Sequence, residues 1–576
     1  VTSADDGFLA PSLVGSLGGH RPSSRTVVAA AVGIVVVGLC LVPMVRLAVA
    51  ALAPSGVLDP AALIARLSRP ATLRAAFATV DTASWGALLS LLIGGPLAVV
   101  TTLTDLPGRR AVAFFAVLPL MIAPQVTALA WAHLLGPSST LLALFGLAPP
   151  VGTANPMLGR GGIILLYGVQ HTPIVFLTLR AGLAAVPGEL VEAARACGTT
   201  PLRALLRVVL PLIRPHLVGA FLLAFVSGVG NFGIPALLGL PVGYLTLTTL
   251  VYQKVSSFGP GVLPEVAALS LAIAIVAFAG TAVGAAAMTR HRVRLRSGTP
   301  IRFVLGAARL PVLAAVGTLS TALLFVPAAS LVATALVPTF GVPLTWSTAT
   351  AANFTEVLFH QAATGRAFVN SFLLSAGAAA FVAAVAIPLG WTVDRAPRPL
   401  AETARAIVDL PYAVPGITVA IACILSFLRP LPIVGSLYGT IWIIFVAYAM
   451  RFLALAARPV ATAIERIPRD LEEAAAACGA RPLRRLATIV TPLVGPAATA
   501  GGLLAFMSAF NELTVSALLW SSGHETIGVV LFSLEEAGLG TQAAAVAVAS
   551  LAVVLVVLTV LDRLGRRLPA GILPWR

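Results

Sequence analysis

Residues Val186 to Pro215 read VPGELVEAARACGTTPLRALLRVVLPLIRP, a charged, alanine-rich island in an otherwise apolar chain. The phrase returns at Ile467 to Pro496 as IPRDLEEAAAACGARPLRRLATIVTPLVGP. Glu192, Ala193, Ala194, Cys197, Gly198, Pro201, Leu202, Arg203 and Pro211 recur as Glu473, Ala474, Ala475, Cys478, Gly479, Pro482, Leu483, Arg484 and Pro492, each 281 positions later. Chance rarely repeats a gapless block of this length. The chain is a duplication, and each copy presents one such loop. Within the block, Glu189, Glu192 and the alanines favour a helix. Gly198 permits a turn that other residues resist, and Pro201 opens a second helix. Pro211 and Pro215 then mark the return of apolar sequence. A short, rigid helix at a surface fits a groove on a partner. An ordinary connecting loop is a fair alternative for one copy and a poor one for two.

The 576 residues are 59% hydrophobic and 10% charged, with mean hydropathy +0.99. A soluble protein lacks the polar residues to cover so much apolar surface. Apolar runs of about 20 residues, enough to cross roughly 30 Å of hydrocarbon, recur along the chain. In lipid the backbone must satisfy its own hydrogen bonds, so the expectation is an all-α polytopic membrane protein. Spans are expected at about 27–53, 84–104, 111–135, 161–184, 216–240 and 263–288, then at about 311–336, 368–392, 404–428, 437–457, 497–520 and 541–562. That makes about 12 helices in two six-helix repeats. The first run ends in A-L-A, like a signal-peptide cleavage site, but is long for such a segment and reads as a span.

The resulting division is an N-terminal tail at 1–25, a first repeat at 26–288 and a basic hinge at 289–310, followed by a second repeat at 311–562 and a basic tail at 563–576. The repeated loops lie at 186–215 and 467–496. A formal charge of +16 would suggest nucleic acid in a soluble protein. Here topology accounts for it, and no nucleic-acid partner is expected. Arg109, Arg110, both repeated loops, the hinge arginines, Arg395, Arg398, Arg563, Arg566 and Arg567 collect on one side of the expected spans. The other side holds scattered charges such as Arg66, Arg69, Arg160, Lys254, Arg366 and Arg429. The positive-inside rule then puts both termini and both loops in the cytoplasm, and an even number of spans per copy makes the repeats parallel. Pro124 of LPLMIAPQ pairs with Pro415 of LPYAVPGI at offset 291, so the second copy is ten residues shorter between that point and the loop. The four cysteines form no metal-spaced pair, and free thiols are expected.

Polar residues in spans are costly and usually face the bundle interior. Gln125, Gln170, His171, Asn231, Asp409, Arg451, Asn511 and Glu512 are the candidates for a pathway. Gln170 and Arg451 share the 281 offset, as do Asn231 and Glu512, which places each pair at equivalent depth. The plainer reading is hydrogen bonding between helices, worth roughly 0.6–2 kcal/mol each, and His171 suits packing better than metal ligation. No cluster adds up to a catalytic or metal site.

The pattern E-A-A, three residues, G, nine residues, then I-x-L-P resembles the signature of inner-membrane permeases of ATP-binding-cassette importers. Here it reads Glu192-Ala193-Ala194, Gly198, Val208, Leu210, Pro211, and again Glu473-Ala474-Ala475, Gly479, Ile489, Thr491, Pro492. The departures are Val208 for Ile and Thr491 for Leu. The resemblance implies that Glu192, Ala193, Ala194, Gly198, Pro211, Glu473, Ala474, Ala475, Gly479 and Pro492 couple to a separate ATPase. It also implies two copies of that subunit, a periplasmic or lipid-anchored solute-binding protein, and a bacterial inner membrane. This chain has no G-x-x-x-x-G-K-[ST] loop, and Lys254 is its only lysine. ATP and Mg are therefore expected on the partner, with no cofactor on this chain. Fused two-copy permeases of this length resemble the ferric-iron, thiamine and aminophosphonate branch. Asn231-Phe232-Gly233-Ile234-Pro235 and Phe510-Asn511-Glu512-Leu513-Thr514 are most similar to iron(III) permeases. An ion-gradient secondary transporter is the first rival and an intramembrane enzyme the second. Neither needs the matched loops.

Overall fold

The computed structural model describes residues 24–257, 259, 261–290, 302–430, 432 and 435–565. Most of the expected N-terminal tail, most of the hinge arginines and the end of the basic C-terminal tail lie outside them. Among the described residues the chain is helical, with an isolated β-bridge between Thr104 and Phe303. Among the described residues, nine helices are long and apolar enough to cross a membrane, and thirteen spans result if each of four bent helix pairs counts as one. The expected total of about 12 falls between these limits.

Two of the bent pairs correct the expected straight spans at 111–135 and 404–428. Helix Arg109–Met121 meets Pro124–Ala143 at 100°, and Arg398–Ala413 meets Gly416–Phe427 at 107°. A proline crowds the residue before it out of the α region. Ala123 (ψ 134°) and Val414 (ψ 152°) are accordingly extended, and each helix breaks there. The spans expected at 216–240 and 497–520 also end early, at Val229 and Phe510. Each is followed by short helices, Gly233–Gly239 and Leu247–Ser256 in the first half, Ser516–Leu519 and Ile527–Glu536 in the second. Ten helical residues reach only about 15 Å, half of a roughly 30 Å hydrocarbon layer, so none of these short helices crosses such a layer by itself.

Each half is built on three mutually packed helices: Pro70–Leu103, Arg160–Ala184 and Arg214–Val229, then Ala362–Asp394, Ile441–Ile464 and Thr491–Phe510. Close approach depends on small residues, as expected where lipid gives no hydrophobic drive between helices. A Cβ added to Gly86 would lie 2.4 Å from the Tyr167 Cβ, and one added to Gly501 would lie 2.5 Å from the Ala456 Cα.

The opening helices of the two halves are exchanged. Val42–Leu52 packs on its own half's Val262–Arg290 and on Gly416–Phe427 of the second half. Val326–Ala335 packs reciprocally on Gly540–Gly565 and on Pro124–Leu135 of the first half. Both repeated loops emerge at one end of the bundle. The segment after the hinge is tied there too, since the Leu305 N–H donates to Asp105 Oδ1 (2.9 Å).

Candidate functional site

The two repeated loops have the same backbone, element for element. Helix Gly188–Ala196 corresponds to Arg469–Ala477, Pro201–Ala204 to Pro482–Arg485, and the wide turn Leu205–Val209 to Leu486–Val490. Gly198 and Gly479 both adopt φ +80°, in the left-handed region. Each ends its helix in a Schellman turn. The Gly198 N–H donates to the Arg195 carbonyl (2.9 Å) and the Thr199 N–H to Ala194 (3.1 Å); Gly479 and Ala480 bond Ala476 and Ala475, both at 2.9 Å. No atom lies within 4 Å of a Cβ built on either glycine, so backbone conformation alone calls for glycine there.

The outward surfaces match as well. Leu190 and Leu202 are exposed in the first loop, and Leu471 and Leu483 in the second. Glu192, Ala193, Glu473 and Ala474 are exposed beside them, Ala194 and Ala475 half-buried, and Cys197 and Cys478 are free, exposed thiols. Pro211 and Pro492 stand at position two of the helical segments that lead back into the bundle.

The polar span residues fall into matched roles. The Gln170 Nε2 donates to the carbonyls of Pro119 (2.8 Å) and Ile122 (3.2 Å) at the first broken helix, while its Oε1 accepts from Thr127 Oγ1 (3.2 Å). Its equivalent, Arg451, donates from Nη1 to the Val414 carbonyl (3.1 Å) at the second break. Each supplies partners that the break has left wanting. Asn231 Oδ1 accepts the N–H of Ile234 (3.1 Å), and Glu512 Oε1 accepts that of Val515 (3.1 Å), again 281 apart. Each takes up a backbone N–H at the turn that leads into a short inner helix.

Two of these residues, Gln125 and Asn511, meet between the halves, and the others pair within one half. Asn511 Nδ2 donates to the Met121 carbonyl of the first half (3.0 Å), and Gln125 Nε2 donates back to the Asn511 carbonyl at 3.5 Å. Arg451 faces Glu512 at 3.7 Å. His171 is buried against Tyr167, with ring centroids 5.3 Å apart, where the second half has Phe452. Asp409 lies apart, paired with Arg458 at 3.1 Å.

Sequence reasoning missed an aromatic contact on the same axis. Tyr252 and Phe532 sit at corresponding places on Leu247–Ser256 and Ile527–Glu536, and their rings meet edge-on with centroids 5.7 Å apart. Phe232 touches both, at 5.2 and 6.0 Å. The two positions differ by 280, one short of the main offset, which is the signal that could have found them.

The long second helices reach these inner segments. Thr79 Oγ1 accepts the N–H of Leu247 (2.8 Å), and Ser371 Oγ accepts that of Ile527 (2.9 Å). Nearby, burial alone would raise the Glu525 carboxyl, but the Gly523 N–H and the Arg366 guanidinium hold it below its ordinary value. Among the described residues, no group of three His, Cys, Asp or Glu side chains is placed to hold a metal.

Duplicated helical halves, paired surface loops and a polar seam between the halves define a multi-pass membrane protein of transporter type. Residues 86–297 and 386–573 both match the family of binding-protein-dependent transport system inner membrane components, and the chain belongs to that family. It is 28% identical over 509 residues to a "Probable ABC transporter permease protein" of Sinorhizobium fredii, covering 85% of this chain and 87% of that protein. A "Fe(3+)-transport system permease protein" of Haemophilus influenzae is 24% identical over 377 residues, 64% of this chain and 70% of that protein. A Salmonella paratyphi A protein named for 2-aminoethylphosphonate transport is 29% identical over 160 residues, 28% of this chain and 59% of that protein. The chain is thus the permease component of an ATP-binding-cassette importer.

Proposed function

We propose that this chain forms both halves of the translocation pathway of an importer for ferric iron, and that each repeated loop docks one copy of a separate ATPase. One observation carries the docking assignment: two loops 281 residues apart share one backbone and expose the same leucines on one end of the bundle. Exposed leucines on a rigid helix suit a groove on a partner, and a twofold partner would meet them as a pair. The loop-bearing end faces the cytoplasm on the charge argument, and a binding protein delivers solute at the other end. ATP-driven closure of the ATPase pair draws the loops together and switches access at the seam between the halves. The pathway runs beside Gln125, Arg451, Asn511 and Glu512, with Asn231 and Gln170 holding the helix breaks that shape it.

Iron is supported by the likeness to the Haemophilus influenzae permease, and an aminophosphonate by the likeness to the Salmonella paratyphi A protein. Uptake of labelled ferric iron by cells lacking this gene, with and without a restoring copy, decides between them, with labelled 2-aminoethylphosphonate and thiamine run in parallel. Iron uptake should fall on deletion and return on complementation. Loss of aminophosphonate or thiamine uptake with iron unchanged would reject iron and leave the permease assignment standing.

A further inference from the structure

The two repeated loops share a backbone but are seated differently. In the first, Val191 and Ala204 face inward, both fully buried in an apolar cluster with Val186, Leu183 and Val209. The residues 281 positions on are Glu472 and Arg485. Two positions that are apolar and buried in the first copy are charged in the second.

Glu472 is only 7% exposed. Its Oε1 accepts a hydrogen bond from the Arg395 Nη2, and its Oε2 accepts one from the buried Trp391 Nε1 (3.3 Å). The Arg485 Nη1 donates to the Glu472 carbonyl (3.5 Å). Arg395 is fixed in turn. Its Nη1 donates to the Trp391 carbonyl (2.9 Å), its guanidinium lies 5.0 Å from the Trp391 ring centroid, and its carbonyl accepts from Arg25 Nη2 (3.1 Å). A buried charge without partners is expensive, whereas this one is paired and hydrogen-bonded on both oxygens.

Trp391 and Arg395 stand at the end of helix Ala362–Asp394. Towards its other end, the same helix takes the Ile527 N–H on Ser371 and donates from Asn370 Nδ2 to the carbonyls of Gly523 (3.2 Å) and Glu525 (3.0 Å). One helix therefore joins the second loop to the segment that carries Phe532 at the seam. Hydrogen bonds and ion pairs fix direction, while apolar contact does not.

We infer that Glu472 and Arg395 are positioning residues that lock the second repeated loop to helix Ala362–Asp394, so that loop and helix move as one body, whereas the first loop shifts on its apolar seat. The two loops are then mechanically unequal, and the second transmits partner motion more directly to the inner segment. The transmission half of this inference rests on the proposed docking of an ATPase; the locking half does not.

The chain carries its own labelling sites. Cys197 and Cys478 are exposed, and Cys40 and Cys423 are buried. In a Cys197→Ser background, Val369→Cys on the exposed face of helix Ala362–Asp394 gives a spin-label pair with Cys478. The 25 residues from Val369 to Asp394 span about 38 Å at roughly 1.5 Å per residue, within range of pulsed dipolar spectroscopy. The matching pair for the first loop is Cys197 with Phe77→Cys in a Cys478→Ser background. In the full chain alone, the Val369→Cys–Cys478 distribution should be narrow, and Glu472→Gln or Arg395→Gln should broaden it at least about twofold as the network loosens. The amide introduced by Glu472→Gln keeps the side-chain shape and one of the two accepting oxygens, so loss of the fold is not the expected cause of broadening. An unchanged first-loop distance in the same variants checks this.

With the ATPase bound and trapped with ATP, the second-loop distance should stay fixed and the first-loop distance should change. An unaltered width in both variants, or a second-loop distance that shifts as much as the first, overturns the inference. Failure of any ATPase to bind would instead reject the proposed docking and leave the width measurement as the test of the lock.

Discussion

Gln170 and Arg451 occupy one position in the two halves and perform one task with different chemistry: each donates to carbonyls at a proline break. Gln170 needs nothing further. Arg451 brings a charge into the bundle, and Glu512 answers it at 3.7 Å. Removing one member of a fully buried pair costs about 3–5 kcal/mol because the other charge is stranded. The side chains here keep 17% and 11% exposure, which places the cost of Arg451→Leu at or below the lower end of that range. Arg451→Gln copies the first half and retains a donor to Val414, so it should cost less. Thermal unfolding in detergent should rank wild type above Arg451→Gln above Arg451→Leu, with Glu512→Gln restoring part of the loss in Arg451→Leu. Equal melting of Arg451→Leu and wild type would show that the pair contributes nothing. The offset of 281 marked these two residues as equivalents from sequence. Their task was hidden, because an offset gives depth in the bundle and not which carbonyls a helix break will free.

At the scale of elements, long apolar runs were legible because about 20 such residues admit few alternatives to a span. The breaks were less so. Pro124 and Pro415 were visible as a matched pair, yet an interior proline often only kinks a helix. Pro96, Pro173, Pro388 and Pro459 all sit inside continuous helices here. What distinguishes the breaks is the set of side chains arranged to receive the freed backbone groups. The short inner helices escaped detection for a related reason: their residues are as apolar as those of a span, and only the turns held by Asn231 and Glu512 divide them from the preceding helix. Their aromatic tips, Tyr252 and Phe532, meet across the two halves with Phe232 against both. Rings filling the seam leave little room for ions or water. Truncating both tips, as Tyr252→Ala with Phe532→Ala, should therefore produce a leak of small ions through proteoliposomes in the absence of ATP, measured by dye quenching. Either single substitution should leak less, since Phe232 still contacts the ring that remains. Tight vesicles with the double variant would remove these rings from the closure of the pathway.

The whole molecule is held together by exchange. Each half lends its opening helix to the other's broken helix, Val42–Leu52 to Gly416–Phe427 and Val326–Ala335 to Pro124–Leu135. Sequence does not disclose such an exchange, because every face of a lipid-exposed helix is apolar and composition cannot name its neighbour. The consequence is that neither half is a finished body, and the paired loops are held at one end of a single scaffold. Two docks on one scaffold predict a definite stoichiometry. Leu202 and Leu483 are equivalent leucines of the two loops, exposed at 64% and 51%, and a partner that covers them gains apolar burial at each. Leu202→Asp or Leu483→Asp should cost little in the free chain, since surface substitutions usually stay within about 0.5 kcal/mol, but should place a charge in the covered contact. Native mass spectrometry of the purified complex should find two ATPase subunits on the wild-type chain, predominantly one on either single variant, and none on the double variant. A wild-type complex with one ATPase subunit, or a double variant that retains both, would mean that the matched loops are not the docks and that their likeness serves another end.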